Sequence, residues 1–238
     1  MMATSLRLVE RLVMAPVVTP PGGYRLDFDH GSAGPQTLDS LSANERRNEM
    51  PLTEKQMRAF NDIGFTVVKG LFSPDEMVEI SAWADGLRDK QPSPGEEAKY
   101  YEVSPITGDN LLVRIENVIG DHNRAVSDML ISDKTKECLA QLLGEPPVLF
   151  KEKINYKLPG CRADKLHQDQ AAGWNAYGKF YITMAIAVDE NRLENGALSF
   201  MCSGNYEKVL MSEEWKPLTE DDPSNQEGEA RKDRSFRV

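Results

Sequence analysis

The chain changes texture at Gly144-Glu145-Pro146-Pro147. Before this point apolar residues recur at helical spacing. After it come short β-rich runs, Val148 to Leu158, Phe180 to Val188 and Ala197 to Met201, punctuated by Pro159-Gly160 and Glu194-Asn195-Gly196. Two adjacent prolines remove two backbone donors and push the preceding residue out of helical conformation, so a helical half has to stop there. Helices first and strands second predict an α+β fold, with helices packed on an antiparallel sheet.

The helical half carries its own start signals. Thr53-Glu54-Lys55-Gln56 is a capping box, followed by Met57, Phe60 and Ile63 on one helical face and by Gly64 as a stop. Phe65 to Val68 reads as a short strand. Ser73-Pro74-Asp75-Glu76 is a second capping box with proline at the first helical position, and its helix runs to about Arg88. A loop is expected from Gln91 to Ala98, a strand from Leu111 to Val118, and helical segments from Ser127 to Ile131 and Asp133 to Leu143.

Three stretches follow from this. Residues 1–49 read as a leader or linker, disordered or targeting, because Arg7 and Arg11 among Leu6, Leu8, Leu12 and Val13 resemble a transit peptide and a Pro/Gly-rich run follows. Met50 is an alternative start. Residues 50–216 form the expected folded domain, and the charged stretch 217–238 is expected to be a disordered tail. The expected compartment is the cytoplasm, with a mitochondrion or peroxisome open through the leader.

Charge narrows the partners. With 28 Lys plus Arg against 38 Asp plus Glu, the net charge is −10, which repels a polyphosphate and argues against nucleic acid. No run approaches the roughly 20 apolar residues of a membrane span. Cys138, Cys161 and Cys202 are far apart and give neither a disulfide framework nor a CxxC site. Histidines number three: His30, His122 and His167.

His167-Gln168-Asp169 is the sharpest local feature. A His and an Asp two residues apart at a strand end can turn imidazole and carboxylate to the same side, supplying two of three facial ligands to Fe(II). The alternative is a chance pair on a surface strand end. Upstream lies the alternating strand Lys153-Ile154-Asn155-Tyr156-Lys157, ended by Leu158-Pro159-Gly160. Downstream come Ala171-Ala172-Gly173-Trp174, the strand from Phe180 to Val188, and Glu194-Asn195-Gly196-Ala197-Leu198.

Together with the entry segment from Gly64 to Ser73, this block resembles the phytanoyl-CoA dioxygenase family of Fe(II)/2-oxoglutarate-dependent oxygenases, over about Met50 to Trp215. The resemblance implies a double-stranded β-helix, the jelly-roll or cupin-like core, with flanking N-terminal helices. It implies Fe(II) as cofactor, 2-oxoglutarate as cosubstrate, and O2 and a small organic or lipid-like substrate as reactants, the product being hydroxylated. His167 and Asp169 match the first two metal ligands. Asn155 and Lys153 are candidate cosubstrate contacts, Lys153 being equally readable as a solvated strand residue. Trp174 is a candidate pocket wall or an ordinary packed aromatic. Arg114 is a candidate substrate contact or the partner of Glu116.

The pattern also departs from the family. No histidine follows His167. The distal His and the Arg that follows it would fall beyond residue 238, so the last strands of the jelly-roll are expected to be absent. Two alternatives therefore stand beside the oxygenase: a non-catalytic jelly-roll remnant that binds a partner or ligand, and a cupin-like metal protein that uses no 2-oxoglutarate.

Overall fold

Both capping boxes form. The computed structural model describes residues 6–16, 51–164, 167, 169, 173–178, 180–201 and 235–237. Helix α1 (Glu54–Ile63) begins where the Thr53 side chain accepts the Gln56 N–H and the Gln56 side chain accepts the Thr53 N–H. Ser73 and Glu76 do the same for helix α2 (Pro74–Asp89). Each box satisfies backbone donors that the first helical turn leaves without partners. Gly64 ends α1 at φ 86°, a left-handed conformation that costs a residue without Cβ little. Helices α3 (Arg124–Leu130) and α4 (Asp133–Leu143) complete the helical half, and Gly144 closes α4 in the same way. No helix among the described residues is long and apolar enough to cross a membrane.

One six-stranded sheet supports the helices. It comprises β1 (Leu6–Pro16), β2 (Ala98–Val103), β3 (Asn110–Glu116), β4 (Pro147–Lys151), β5 (Lys153–Lys157) and β6 (Ile182–Ala187). All its pairings are antiparallel. The path runs β2, β3, β5, then β1, which lies beside β5 through Leu6–Leu8 and beside β4 through Val13–Pro16. β6 pairs with the other edge of β1. A separate antiparallel pair joins β7 (Ser199–Met201) to β8 (Ser235–Arg237). Helices on an antiparallel sheet match the α+β expectation.

Four local readings change. Phe65 to Val68 is not a strand; the Gln56 side chain of α1 donates to the Val67 carbonyl, so a helix side chain takes the place of a ladder partner. β2 occupies residues beyond the expected loop. β1 lies within the expected leader and β8 within the expected tail, and the rest of those two segments lies outside the described residues. Apolar residues free of Gly and Pro from Leu6 to Ala15 suit a strand as well as an amphipathic leader, and two neighbouring edges claim the backbone.

Register sorts the side chains. Ile115 faces Ile154 across β3 and β5, while Arg114 faces Asn155 and Glu116 faces Lys153. Residues directly opposite share a face, and neighbours along a strand alternate. Ile115, Ile154 and Tyr156, with Ile182 and Ile186 of β6, join the core formed with Ile80, Ala84 and Leu87 of α2 and with Leu130 and Leu139. The Tyr156 hydroxyl donates to the Ala84 carbonyl at 2.7 Å, tying sheet to helix. Arg114, Glu116, Lys153, Asn155 and Thr183 fall on the opposite, polar face.

Glu152 stands at the junction of β4 and β5. Its carboxylate accepts the N–H groups of Val118 at 2.8 Å and Ile119 at 3.4 Å. Burial raises its pKa, against the pull of those backbone bonds. A raised folded-state pKa means the folded chain holds this proton more tightly, so this group's contribution to stability declines as pH rises from the ordinary carboxylate range through the folded value. Glu152→Gln is expected to remove that decline, since the amide oxygen still accepts. Glu152→Ala is expected to cost about 1–3 kcal/mol, because two amides lose their acceptor. Urea unfolding between pH 4 and 8 checks both.

Candidate active site

The turn after β5 begins the site. Gly160 sits at φ 89° with its carbonyl held by the Ser104 hydroxyl at 2.7 Å, and a Cβ there would meet that Ser104 oxygen at 3.0 Å. The chain thereby doubles back along β5. Arg162 forks onto Glu102 of β2 at 2.6 and 3.1 Å and reaches Asp164 at 3.2 Å. Lys157 pairs with the same Asp164. Burial opposes ionisation of Asp164, but the hydrogen bond from Lys157 and the charges of Lys157, Arg162 and Lys153 prevail and hold its carboxyl below the usual range.

These residues close a cleft of about 60 Å³ over the polar face of β5. Arg114, Lys153, Lys157 and Arg162 line it against two acids, Glu102 and Asp164. Four cations less two anions leave a formal excess of +2. Asn155 lies in the same cleft, 5 % exposed, and Lys153 is 9 % exposed, so Lys153 is not a solvated strand residue. Arg114 both lines the cleft and pairs with Glu116 at 3.1 Å, its guanidinium lying 4.2 Å from the centre of the Tyr100 ring. Lys157, Arg162 and Asp164 were not among the sequence-derived candidates. Alternation along β5 places Lys157 with Lys153 and Asn155; Arg162 and Asp164 lie beyond the strand and carry no such signal.

His167 and Asp169 converge. The imidazole Nε2 lies 3.3 Å from Asp169 Oδ1, with the side chains 23 % and 27 % exposed. Two donors each about 2.1 Å from one octahedral ion and at right angles lie about 3.0 Å apart, so this spacing suits adjacent ligands of one metal. An imidazole nitrogen with a carboxylate oxygen is a donor set that Fe(II) accepts. The other Asp169 oxygen accepts the Thr183 hydroxyl at 2.9 Å. Among the described residues, no group of three or more His, Cys, Asp or Glu forms. His122 is bound elsewhere, its Nε2 2.9 Å from the Asn117 carbonyl. His30 lies outside the described residues.

Trp174 stands apart from the cleft. It is 6 % exposed and meets Phe150 and Tyr181 edge-on, with ring centres 5.5 and 5.4 Å away. Its carbonyl accepts the Tyr181 hydroxyl at 2.8 Å. Of its two readings, this is the geometry of a packed aromatic.

Residues 60–235 match the family model described as "Phytanoyl-CoA dioxygenase (PhyH)". The chain is 34 % identical to a 2-aminoethylphosphonate dioxygenase of the uncultured bacterium HF130_AEPn_1, over 70 % of this chain and 68 % of that protein. It is 31 % identical to a methylphosphonate hydroxylase of Gimesia maris, over 63 % of this chain and 55 % of the relative. It is 27 % identical to a probable alpha-ketoglutarate-dependent hypophosphite dioxygenase of Stutzerimonas stutzeri, over 65 % and 54 %. The chain thus spans about two thirds of the first relative and about half of the other two. No solved structure matches. A family match across most of the chain, with the His–Asp pair inside it, places this protein in the phytanoyl-CoA dioxygenase family.

Proposed function

We propose that this protein is an Fe(II)/2-oxoglutarate-dependent dioxygenase that hydroxylates a small anionic molecule, with organophosphonates as the favoured class. The observation that carries the reading is the convergence of His167 Nε2 and Asp169 Oδ1 at 3.3 Å, the spacing of two adjacent ligands. Fe(II) with 2-oxoglutarate and O2 supplies, when bound, an oxidant able to hydroxylate an unactivated C–H bond. The chain's own residues hold, orient and exclude. His167 and Asp169 would hold the metal. Lys153 and Asn155 offer an ammonium and an amide, both largely removed from water, to a carboxylate of the cosubstrate. Arg114 and Arg162 line the same cleft, each already paired with an acid, and would meet a substrate anion through their remaining N–H groups.

Charge supports the substrate class. The cationic lining of the cleft, Arg114, Lys153, Lys157 and Arg162, favours anionic over lipid-like ligands. Two of the relatives above are named for phosphonates and a third for hypophosphite. In this reading the polar face of the sheet is the inner wall of a double-stranded β-helix.

Anaerobic titration with Fe(II) and 2-oxoglutarate tests the proposal. A weak visible charge-transfer band is expected with the wild type and none with His167→Ala. Loss of the band with Lys153→Met, while Fe(II) uptake persists, would support the cosubstrate assignment. No band from the wild type at saturating Fe(II) and 2-oxoglutarate would overturn the reading and favour the non-catalytic binding protein.

A further inference from the structure

We infer that Thr183 is a positioning residue for Asp169, fixing which carboxylate oxygen is offered to a metal; this rests on the reading of His167 and Asp169 as ligands. The Thr183 hydroxyl donates to Asp169 Oδ2 at 2.9 Å, while Oδ1 is the oxygen that faces His167 Nε2. One oxygen is thus occupied by a charge-assisted hydrogen bond and the other is directed at the imidazole. A carboxylate held in this way would offer a metal one oxygen, Oδ1. Without the hydroxyl, Oδ2 loses this donor, and chelation through both oxygens, which would take a coordination position that a cosubstrate needs, becomes less disfavoured.

The fold explains why Thr183 is placed for this. Ile182 and Ile186 of β6 are buried in the core, at 5 % and 6 % exposure, which turns Thr183 to the polar face by strand alternation. Its backbone is held against β1 opposite Val13. The side chain itself is exposed, so the core does not need it. A hydroxyl on a strand anchored from its other face is a rigid support for the Asp169 carboxylate. Partners of ligating groups typically change metal affinity about 10–100-fold when removed.

Thr183→Val keeps the shape and the strand preference and removes only the hydroxyl; Thr183→Ser keeps the hydroxyl. Co(II) binding, followed by its visible absorption and by calorimetry without cosubstrate, reads the effect apart from turnover. Thr183→Val is expected to weaken Co(II) binding by about 10–100-fold and to change the absorption envelope. Thr183→Ser is expected to restore both, with the thermal midpoints of all three metal-free proteins coinciding. Equal Co(II) affinity and spectra for wild type and Thr183→Val would overturn the positioning role while leaving the ligand assignment standing. A wild type that takes up no Co(II) or Fe(II) would overturn both. A Thr183→Val protein with weaker binding and an equally lowered thermal midpoint, not rescued by serine, would make Thr183 a structural residue and also overturn the inference.

Discussion

Deletion of residues 1–17 is expected to abolish cooperative unfolding and to leave a protein that aggregates or binds hydrophobic dyes. β1 is the shared partner of two parts of the sheet: Leu8 pairs with Asn155 on one side and Ala187 on the other, and Val13 with Lys151 and Thr183. Removing it opens one edge along β4 and β5 and another along β6, and open edges invite pairing with other chains. β6 loses its only pairing within the six-stranded sheet among the described residues. A domain's net stability is only about 5–15 kcal/mol, a margin that the loss of a central strand exhausts. The measurement is urea unfolding by circular dichroism, beside light scattering, for the full chain and for a protein beginning at Val18. A native-like transition from the shorter protein, with unchanged midpoint, would show that β1 does not hold the sheet. Addition of a peptide spanning Leu6–Pro16 is expected to restore part of the signal, because strand addition draws on backbone hydrogen bonds and works between separate chains.

What could be read in advance divides by the range of the physics. The starts of α1 and α2 were legible because a capping box is complete within four residues, Thr53 to Gln56 and Ser73 to Glu76. β5 was legible because alternation and the Pro159-Gly160 stop are local. β2 was not: its register shifts between Tyr100 and Tyr101, and its side chains are exposed or half-buried, so it carries no clean apolar period. β1 was not legible as a strand because apolar residues interspersed with arginines fit an amphipathic leader and a strand alike; its pairing with β4, β5 and β6 is long-range. In the site, His167 and Asp169 approach each other, but not on the strand end that their spacing suggested: His167 lies outside any strand and Asp169 in a 3-10 turn. The roles of Arg162 and Thr183 were not legible, because they depend on a loop doubling back onto Glu102, 60 residues earlier, and on a strand 14 residues beyond Asp169.

Tyr156→Ala is expected to cost about 3–5 kcal/mol, a large share of the stability of such a domain. The ring is 0 % exposed and lies in the core beside Ala84 and Ile154, and its hydroxyl closes the 2.7 Å bond to the Ala84 carbonyl. Truncation removes that bond and leaves a ring-sized cavity under α2. Tyr156→Phe separates the two losses, since the ring stays and the Ala84 carbonyl remains within a helix; about 0.5–1.5 kcal/mol is expected for the bond alone. Equilibrium unfolding in urea gives both values, and a cost below about 1 kcal/mol for Tyr156→Ala would contradict the packing described. The neighbouring residues sharpen the test. Lys153, Asn155 and Lys157 alternate with Ile154 and Tyr156 and line the cleft. Tyr156→Phe should therefore lower stability slightly and leave anion binding in the cleft intact, whereas Lys153→Met should weaken anion binding with much less effect on unfolding than Tyr156→Ala. Alternation on this five-residue strand gives Ile154 and Tyr156 to the core and Lys153, Asn155 and Lys157 to the cleft, with Tyr156 also reaching the cleft lining, so the paired variants weigh packing against the proposed anion site.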